Sequence, residues 1–508
     1  MSPALILAGD ESNLNLFPFL LLLVAPLVVL GFKHYLISPF FSSRAPLPPG
    51  PQPWPLLGNL PHMTGKKPHL EVAKMAHSLG PLISLRLGTQ LVVFGSSPYT
   101  ASEILKSHDR ILSSRHVPKV SPIQGHELDH RSLVWQSQCG DTWKMMRTIC
   151  RTGLFSHKAI DEQVALREKK VMEMVQFLAA KQGQVVNLAE AVFATVFNIL
   201  SNLLLSKDLI DLEYEGAAGG LKGIIWRMME LGIAPNIADF YPILASLDLQ
   251  RLKKKAWKCT ESMFAVWDVV LKERRQGRGD TSRRPDFLDL LLDNNFDDDQ
   301  INSLFLELFT AGTDTSTSTI EWAMAELIKN PHVMNNVRRE LETEIKEKVV
   351  RESRLPDLPY LQACIKETLR LHPPVPFLLP HRASQSCEIM GYRIPKDTQV
   401  QVNVWAIGRE PTTWTNPLAF TPDRFLNSQL DYKGHDFEFI PFGAGRRICP
   451  GLPMATRQVA FILASLIHNF DWSLPSEMNP LLLDMDEKFG ITLQKKEPLF
   501  LVPKVIMR

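Results

Sequence analysis

The pattern of apolar and polar positions divides the chain into three unequal parts. Leu16 to Phe32, LFPFLLLLVAPLVVLGF, carries neither a charge nor a polar side chain over 17 residues. That is at the short end of what spans a bilayer. Asp10 and Glu11 precede it without any Lys or Arg, whereas Lys33 and Arg44 follow it. The positive-inside rule then gives residues 1–33 as a luminal N-terminus plus one transmembrane anchor, with everything beyond it cytosolic. A cleaved secretory signal would want a basic leading region and a small-residue cleavage site, and neither is clear here. Residues 34–51 form the second part. Pro46-Leu47-Pro48-Pro49-Gly50-Pro51 has four prolines in six residues, which excludes helix and inner strand and predicts a stiff, extended linker.

Residues 52–508 are the third part, with no convincing internal boundary and no repeat. Ile83, Leu85 and Leu87 alternate with Ser84, Arg86 and Gly88, and Val92-Val93-Phe94 follow, which predicts a hairpin turning near Gly88-Thr89. Glu388–Pro395 reads as a second short hairpin turning at Gly391, and Pro498–Pro503 is a further strand-like run. Most of the rest is helical. Leu304, Leu308, Ala311 and Thr315 recur at helical spacing in a long segment from Asp299 to about Lys329. Val337 to Val349 is charged enough to read as a surface helix, and Lys272 to Arg284, with Gly277 and Gly279, as an exposed basic loop. The predicted fold class is mainly α with small β-sheets, an α+β body on one N-terminal membrane helix.

Composition narrows the chemistry. With 45% apolar and 22% charged residues the body is globular. Lys plus Arg number 56 against 54 Asp plus Glu, a net charge of +2, which gives no reason to invoke nucleic acid. Cys139, Cys150, Cys259, Cys364, Cys387 and Cys449 are too sparse for a disulfide scaffold and contain no C-x-x-C pair for a zinc cage. They fit a reducing compartment.

One cysteine stands apart. Phe442-Gly443-Ala444-Gly445-Arg446-Arg447-Ile448-Cys449-Pro450-Gly451 is glycine-rich ahead of the Cys and leads into an apolar helical stretch from Leu452. Glycines permit tight turns and close backbone approach. A loop just before a helix aims backbone N–H groups and the positive end of the helix dipole at the sulfur, and Arg446 and Arg447 add charge, so the surroundings favour a thiolate. The pattern F-x-x-G-x-R-x-C-x-G resembles the haem-binding loop of the cytochrome P450 family. Its five fixed residues would match by chance in a chain this long about once in 10,000.

The resemblance implies that Cys449 is the axial thiolate of haem iron, a strong donor that favours O–O cleavage. It also implies that Arg447 binds a haem propionate and that Phe442 packs near the sulfur. Glu367 and Arg370 form E-x-x-R within Leu361–Leu371, before His372-Pro373-Pro374. Their i,i+3 spacing puts them on one helix face. Pro422-Asp423-Arg424-Phe425 resembles the family's P-E-R-F element with Asp in place of Glu, and Arg424 would complete a buried structural cluster with Glu367 and Arg370. Trp143-Lys144-Met145-Met146-Arg147 matches W-x-x-x-R, which implies an indole N–H and a guanidinium aimed at propionates. His381, where relatives often place Arg, is a further candidate donor.

Ala311-Gly312-Thr313-Asp314-Thr315-Ser316 puts poor helix formers into a good helix. Hydroxyls bonded back to helix carbonyls would explain it as a core kink. The family signature A-G-x-D/E-T, which it resembles, implies a local opening for O2, with Asp314 relaying protons from solvent and Thr315 positioning them. The implied cofactor is haem b, the implied electron source NADPH through a cytochrome P450 reductase, and the implied location the endoplasmic reticulum membrane. A haem-thiolate isomerase or dehydratase needing no electrons, or a haem sensor, would not need the Asp314–Thr315 pair.

Ser102 to Ser113 and Glu487 to Lys495 are similar to plant alkaloid oxidases of the benzylisoquinoline type, such as N-methylcoclaurine hydroxylases and phenol-coupling enzymes. The implied substrate is an aromatic alkaloid, with a terpenoid as the alternative. By the same resemblance the pocket draws on the Leu112–Val120 loop, the Trp226–Leu231 helix, Leu308, Ala311, Val375, Phe377 and Phe489. For a cationic amine the one candidate partner named by this reading is Glu230. Each apolar member fits plain core equally well.

Overall fold

A computed structural model describes residues 45–65, 67–121, 123–212, 217–277 and 285–507 of the 508-residue chain. The expected anchor at 16–32 lies outside the described residues. The alternation at Ile83–Leu87 does fold as a hairpin. β1 (Leu82–Leu87) and β2 (Gln90–Gly95) pair antiparallel with Leu87 opposite Gln90. Gly88 turns at φ +61°, where a Cβ would press on the Phe240 carbonyl oxygen at 2.7 Å. The linker is not a free spacer where it is described: Ser84 N–H donates to Pro49 O at 2.8 Å and Arg393 N–H to Pro46 O at 2.7 Å. Residues 46–51 are extended, as four prolines require, but they are fastened to β1 at one end and to the 392–394 strand at the other.

Among the described residues ten helices run ten residues or longer: α1 (Pro68–Leu79), α2 (Asp141–Cys150), α3 (Val164–Ala180), α4 (Leu188–Leu205), α5 (Ala217–Ile233), α6 (Leu252–Gln276), α7 (Asp298–Lys329), α8 (Pro331–Glu344), α9 (Pro359–Leu371) and α10 (Leu452–Asn469). The short strands are β3 (Ser114–Arg115), β4 (Val186–Asn187), β5 (His381–Arg382), β6 (Cys387–Ile389), β7 (Tyr392–Ile394), β8 (Gln399–Val402), β9 (Phe470–Ser473), β10 (Glu487–Lys488), β11 (Gln494–Lys495) and β12 (Phe500–Val505). They form a five-stranded sheet ordered β1-β2-β8-β5-β3, a three-stranded sheet β4-β12-β9 and two hairpins. The β6–β7 hairpin turns at Met390 and Gly391, both at positive φ, and β12 occupies the predicted C-terminal run.

α7 is the axis of the helical part. Asp297 and Gln300 cap its start reciprocally. Phe309 stacks on Phe197 of α4 at 4.6 Å and on Trp267 of α6 at 5.4 Å, which locks three helices together through aromatic faces. α4 is long and apolar enough to cross a membrane, with mean hydropathy 1.7, but it is buried in this core.

Three sequence readings need correction. The helix through Gly312 to Ser316 is not interrupted: α7 is continuous, because Thr310, Thr313, Thr315, Thr317 and Thr319 each donate their hydroxyl to a carbonyl one turn back, at 2.7 to 2.9 Å. The basic stretch from Lys272 is helical as far as Gln276, since the apolar stripe Met263, Trp267, Val270 and Leu271 carries α6 through it; residues 278–284 lie outside the described residues. The charged helix ends at Glu344 and is not purely surface, because Val337 and Leu341 are wholly buried.

Candidate active site

The loop before α10 is built by its glycines. Gly443 and Gly445 sit at φ +71° and +66°, and a Cβ at Gly445 would collide with the Leu105 carbonyl oxygen. Cys449 N–H donates to Phe442 O at 3.0 Å and closes the loop. The sulfur lies at the head of α10, where the Gly451 and Leu452 N–H groups and the Arg147 guanidinium favour its anion. Burial is the larger effect and pushes the Cys449 thiol up, so the loop by itself does not produce a stable thiolate. That departs from the sequence expectation, and the reason is geometric. Arg446 points outward to Asp109, 2.9 Å away, and Arg447 turns to backbone carbonyls. A metal cation at the sulfur would favour its anion further. Phe442 packs edge-on against Tyr432 at 5.6 Å. Phe155 is the ring at Gly451, where an added Cβ would meet it at 3.8 Å and the Cys449 sulfur at 3.9 Å.

Beside the loop, three guanidiniums converge. Arg447 donates to Ser113 O at 2.9 Å and Gln136 O at 2.6 Å. Arg147 donates to Ile448 O at 2.6 Å, and Arg115 to Leu379 O at 3.0 Å and Val134 O at 3.2 Å. Burial lowers all three, Arg115 to about 9, with further repulsion from Arg447 and Arg147 at Arg115 and from Arg147 at Arg447. Among the described residues none of them forms an ion pair, and each retains N–H groups beyond those bonds. A buried set of cations without an anion is the donor set for a ligand carrying two carboxylates, so the residues fit haem propionates. Sequence reasoning missed Arg115; its one signal was an Arg in the loop already suspected of facing the pocket.

Trp143 and His381 belong to this cluster in a different role. Trp143 spends its indole N–H on Leu133 O at 3.0 Å, and its ring lies 5.2 Å from the Arg147 guanidinium and 5.0 Å from that of Arg447. It therefore holds two like charges side by side by cation–π attraction. His381 is wholly surrounded, and burial with the nearby Arg115 charge lowers it to about 3, so the ring is neutral. Its Nδ1 faces Leu112 O at 2.7 Å. The one N–H of a neutral ring is spent there, which removes His381 as a propionate donor.

On α7 the accessible side is narrow. Ala311 and Gly312 are exposed and Thr315 half-buried, while the residues around them are buried. Gly312 also lets Leu200 of α4 approach, at 3.2 Å from where a Cβ would sit. Thr315 shares the Ala311 face; its hydroxyl rests on Ala311 O at 2.7 Å. Asp314 turns away toward β11 and accepts from Gln494 at 2.9 Å, leaving Oδ2 buried without a hydrogen bond. Burial pushes its carboxyl up, against the pull of Thr492, Gln494, Trp226 and the Lys222 ammonium.

The candidate pocket residues separate. Leu308 is in the main core, and Phe377 packs with Phe94 at 5.2 Å and Phe489 at 6.0 Å. Val375 is half-buried. Phe489 lines a cleft with Trp226, Met229, Thr492 and Gln494. Glu230, the one named carboxylate partner for an amine, is exposed at that cleft's mouth and paired with Lys488 at 2.9 Å, so it is not a free anion. A cavity of about 490 Å³ lined by Glu326, Lys329, His372 and Arg409 opens elsewhere and contains none of these groups.

Glu367, Arg370 and Arg424 do meet. Arg370 forms a two-pronged pair with Glu367 at 2.6 and 2.7 Å and donates to Gly408, Pro417 and Ala419 carbonyls; Arg424 reaches Glu367 at 3.0 Å. Both members of the first pair are wholly buried. Glu367→Ala would leave Arg370 charged and unpaired, so the variant is expected to lose about 3–5 kcal/mol of stability and to retain haem poorly on heating. A thermal unfolding midpoint equal to wild type would show the cluster to be dispensable.

The sequence profile of the cytochrome P450 family matches residues 48–502. The chain is 50% identical to (S)-N-methylcoclaurine 3'-hydroxylase isozyme 1 of Papaver somniferum over 465 residues, 91% of this chain and 96% of that protein. It is 49% identical to corytuberine synthase of Coptis japonica, over 90% of this chain and 94% of that protein, and 42% identical to geraniol 8-hydroxylase of Catharanthus roseus, over 91% and 94%. A cysteine loop at a helix head, a cluster of cations lacking an anion and a threonine-bearing helix face agree with that match along nearly the whole sequence: this chain belongs to the cytochrome P450 family of monooxygenases.

Proposed function

We propose that this chain is a membrane-anchored haem-thiolate monooxygenase that hydroxylates or oxidatively couples an aromatic plant alkaloid. The observation that carries the substrate class is the 50% identity to an N-methylcoclaurine hydroxylase along nine-tenths of the chain, against 42% to the geraniol hydroxylase. Haem b, held by Cys449 with its propionates toward Arg115, Arg147 and Arg447, would supply O2 activation with electrons drawn from NADPH through a reductase. The chain's own part is to order the reactants. Gly451 and Leu452 N–H groups and α10 stabilise charge on the Cys449 sulfur. Trp143 keeps the propionate-binding arginines in place. Asp314 takes protons from the solvent side and Thr315 presents them on the accessible face of α7. An isomerase without a reductase would have no use for that pair.

The same proposal assigns residues 1–33 to a luminal segment and anchor, 34–51 to a linker and 52–508 to the catalytic domain, on the cytosolic side of the endoplasmic reticulum. A patch on the body supports this orientation. Trp54, Leu56, Leu57, Ile243, Leu247 and Leu249 are exposed, and Tyr241 joins the two loops by donating to Leu56 O at 2.9 Å. Apolar surface of this kind, next to the linker, suits a lipid face. Deleting residues 1–33 is expected to move the protein from membrane pellet to supernatant with its Soret absorption unchanged; full retention in the pellet would refute the anchor. The substrate class is tested by titrating purified enzyme with benzylisoquinoline alkaloids and monoterpene alcohols. Soret shifts at micromolar alkaloid are expected, and a response to the terpenes alone would overturn the reading.

A further inference from the structure

We propose that Glu307 is the carboxylate that binds the protonated amine of the substrate, which rests on the alkaloid reading above. An alkaloid nitrogen is an ammonium at neutral pH, and moving it from water into a closed apolar pocket is costly unless an anion meets it there. The pocket must therefore hold a carboxylate with unused capacity, on the accessible side of the helix that carries Thr315. Glu230 fails this requirement because Lys488 already neutralises it.

α7 carries six carboxylates. Asp298 pairs with Arg275, Asp299 with Arg131 and Glu326 with His372. Asp314 and Glu321 are buried and already engaged, by Gln494 and by the Leu499 N–H. Glu307 remains. It lies one turn before Ala311 and two turns before Thr315, and positions i, i+4 and i+8 share one helix face. It is half-buried on that face and has no cation paired to it among the described residues.

Its surroundings hold it still without using it up. Oε2 accepts from the Leu133 and Val134 N–H groups at 2.8 and 3.0 Å, and Oε1 accepts from the Ser132 hydroxyl. The Trp135 N–H donates to Ser132 Oγ at 2.6 Å and so holds that hydroxyl in place without occupying the carboxylate. A carboxylate offers about four acceptor sites, so one on Oε1 is left for a charged N–H. Burial pushes the Glu307 carboxyl up to about 7, despite those donors. Arg447 is within electrostatic reach but is turned to the carbonyls of Ser113, Leu133 and Gln136. A bound ammonium is the compensating charge this site lacks.

The placement also sets which atom is oxidised. Eight residues of helix span about 12 Å, so a substrate gripped by its nitrogen at Glu307 presents to the Thr315 end a carbon roughly two linked rings away. Glu307 is thus a determinant of both affinity and position.

The bland alternative is that Glu307 only pins the 132–135 loop. Two ligands separate the two roles: a tertiary-amine benzylisoquinoline, and its neutral analogue with the nitrogen acylated. Dissociation constants are measured by Soret titration of purified haem-loaded wild type and Glu307→Gln, an isosteric change that keeps an acceptor for the loop. The amine is expected to bind the variant at least about 30-fold more weakly, with the neutral analogue within about twofold. Equal losses for both ligands, or no loss for either, overturn the proposal in favour of loop pinning. If wild type binds the neutral analogue as well as the amine, the charge role is refuted while the alkaloid ring class stands; if it binds neither, the alkaloid reading falls and this inference with it.

Discussion

Cys449→Ser is expected to abolish the red-shifted Soret band of the reduced carbon monoxide complex. A hydroxyl in place of the thiol is a weaker electron donor and far harder to ionise, so it does not supply the thiolate that gives the band its position. The loop itself should survive, because its shape depends on Gly443, Gly445 and the Cys449 N–H bond to Phe442, none of which involves the sulfur. Near-native far-ultraviolet circular dichroism with the band lost is therefore the expected result. The size of the effect follows from the thiol's surroundings. Burial pushes it up, and the Gly451 and Leu452 N–H groups and Arg147 only partly offset that, so a serine hydroxyl in the same place is held even further from ionisation. A band retained in the serine variant would mean that another group ligates the iron. Cys139 and Cys150 would be the first places to look: both lie within electrostatic reach of Arg147, as Cys449 does.

Where the sequence was legible, it was so because a local rule sufficed. Strict alternation and a glycine at positive φ specify the β1–β2 hairpin without help from the rest of the chain. An i,i+3 spacing places Glu367 and Arg370 on one face of α9 whatever surrounds them. The misreadings came from side-chain partners that the residue types do not announce. Thr and Asp in α7 look like breakers, yet each Thr hydroxyl finds a carbonyl inside the same helix, so no break results. Arg446 and Arg447 are neighbours in sequence but part company in space, one at Asp109 and the other among carbonyls more than 300 residues away. His381 and Trp143 have the right chemistry for carboxylate recognition, and their donors are taken by Leu112 and Leu133, contacts that no motif encodes. Arg115 and Glu307 went unnoticed for the opposite reason. Neither belongs to a pattern, and their meaning comes only from being drawn out of solvent without an ion-pair partner among the described residues.

Thr315→Ala is expected to keep substrate binding and electron uptake while lowering product per NADPH about 100-fold, with the missing electrons recovered as hydrogen peroxide. The argument starts from proton supply. Splitting the O–O bond requires two protons at one oxygen in the right order; without an ordered donor, two electrons and two protons leave as hydrogen peroxide instead. Burial pushes the Asp314 carboxyl up, but it faces β11, not the accessible side of α7. Thr315 is on that side, with its hydroxyl resting on Ala311 O. A rotation about one side-chain bond frees this hydrogen to point outward, so the resting contact is a parked position for a group that works elsewhere. Alanine is a better helix former than threonine, and the carbonyl of Ala311 keeps its backbone partner at Thr315, so the substitution should not unfold α7. That separates the two roles of the residue. If Thr315 serves only the helix, the variant will be as coupled as wild type. If it delivers protons, NADPH consumption will continue with product replaced by peroxide, and Thr315→Ser, which restores a hydroxyl at the same place, will recover most of the coupling. Equal product per NADPH in wild type and Thr315→Ala would remove the proton-delivery role, and with it the main reason for preferring an oxygenase over an electron-independent isomerase on this site's own chemistry.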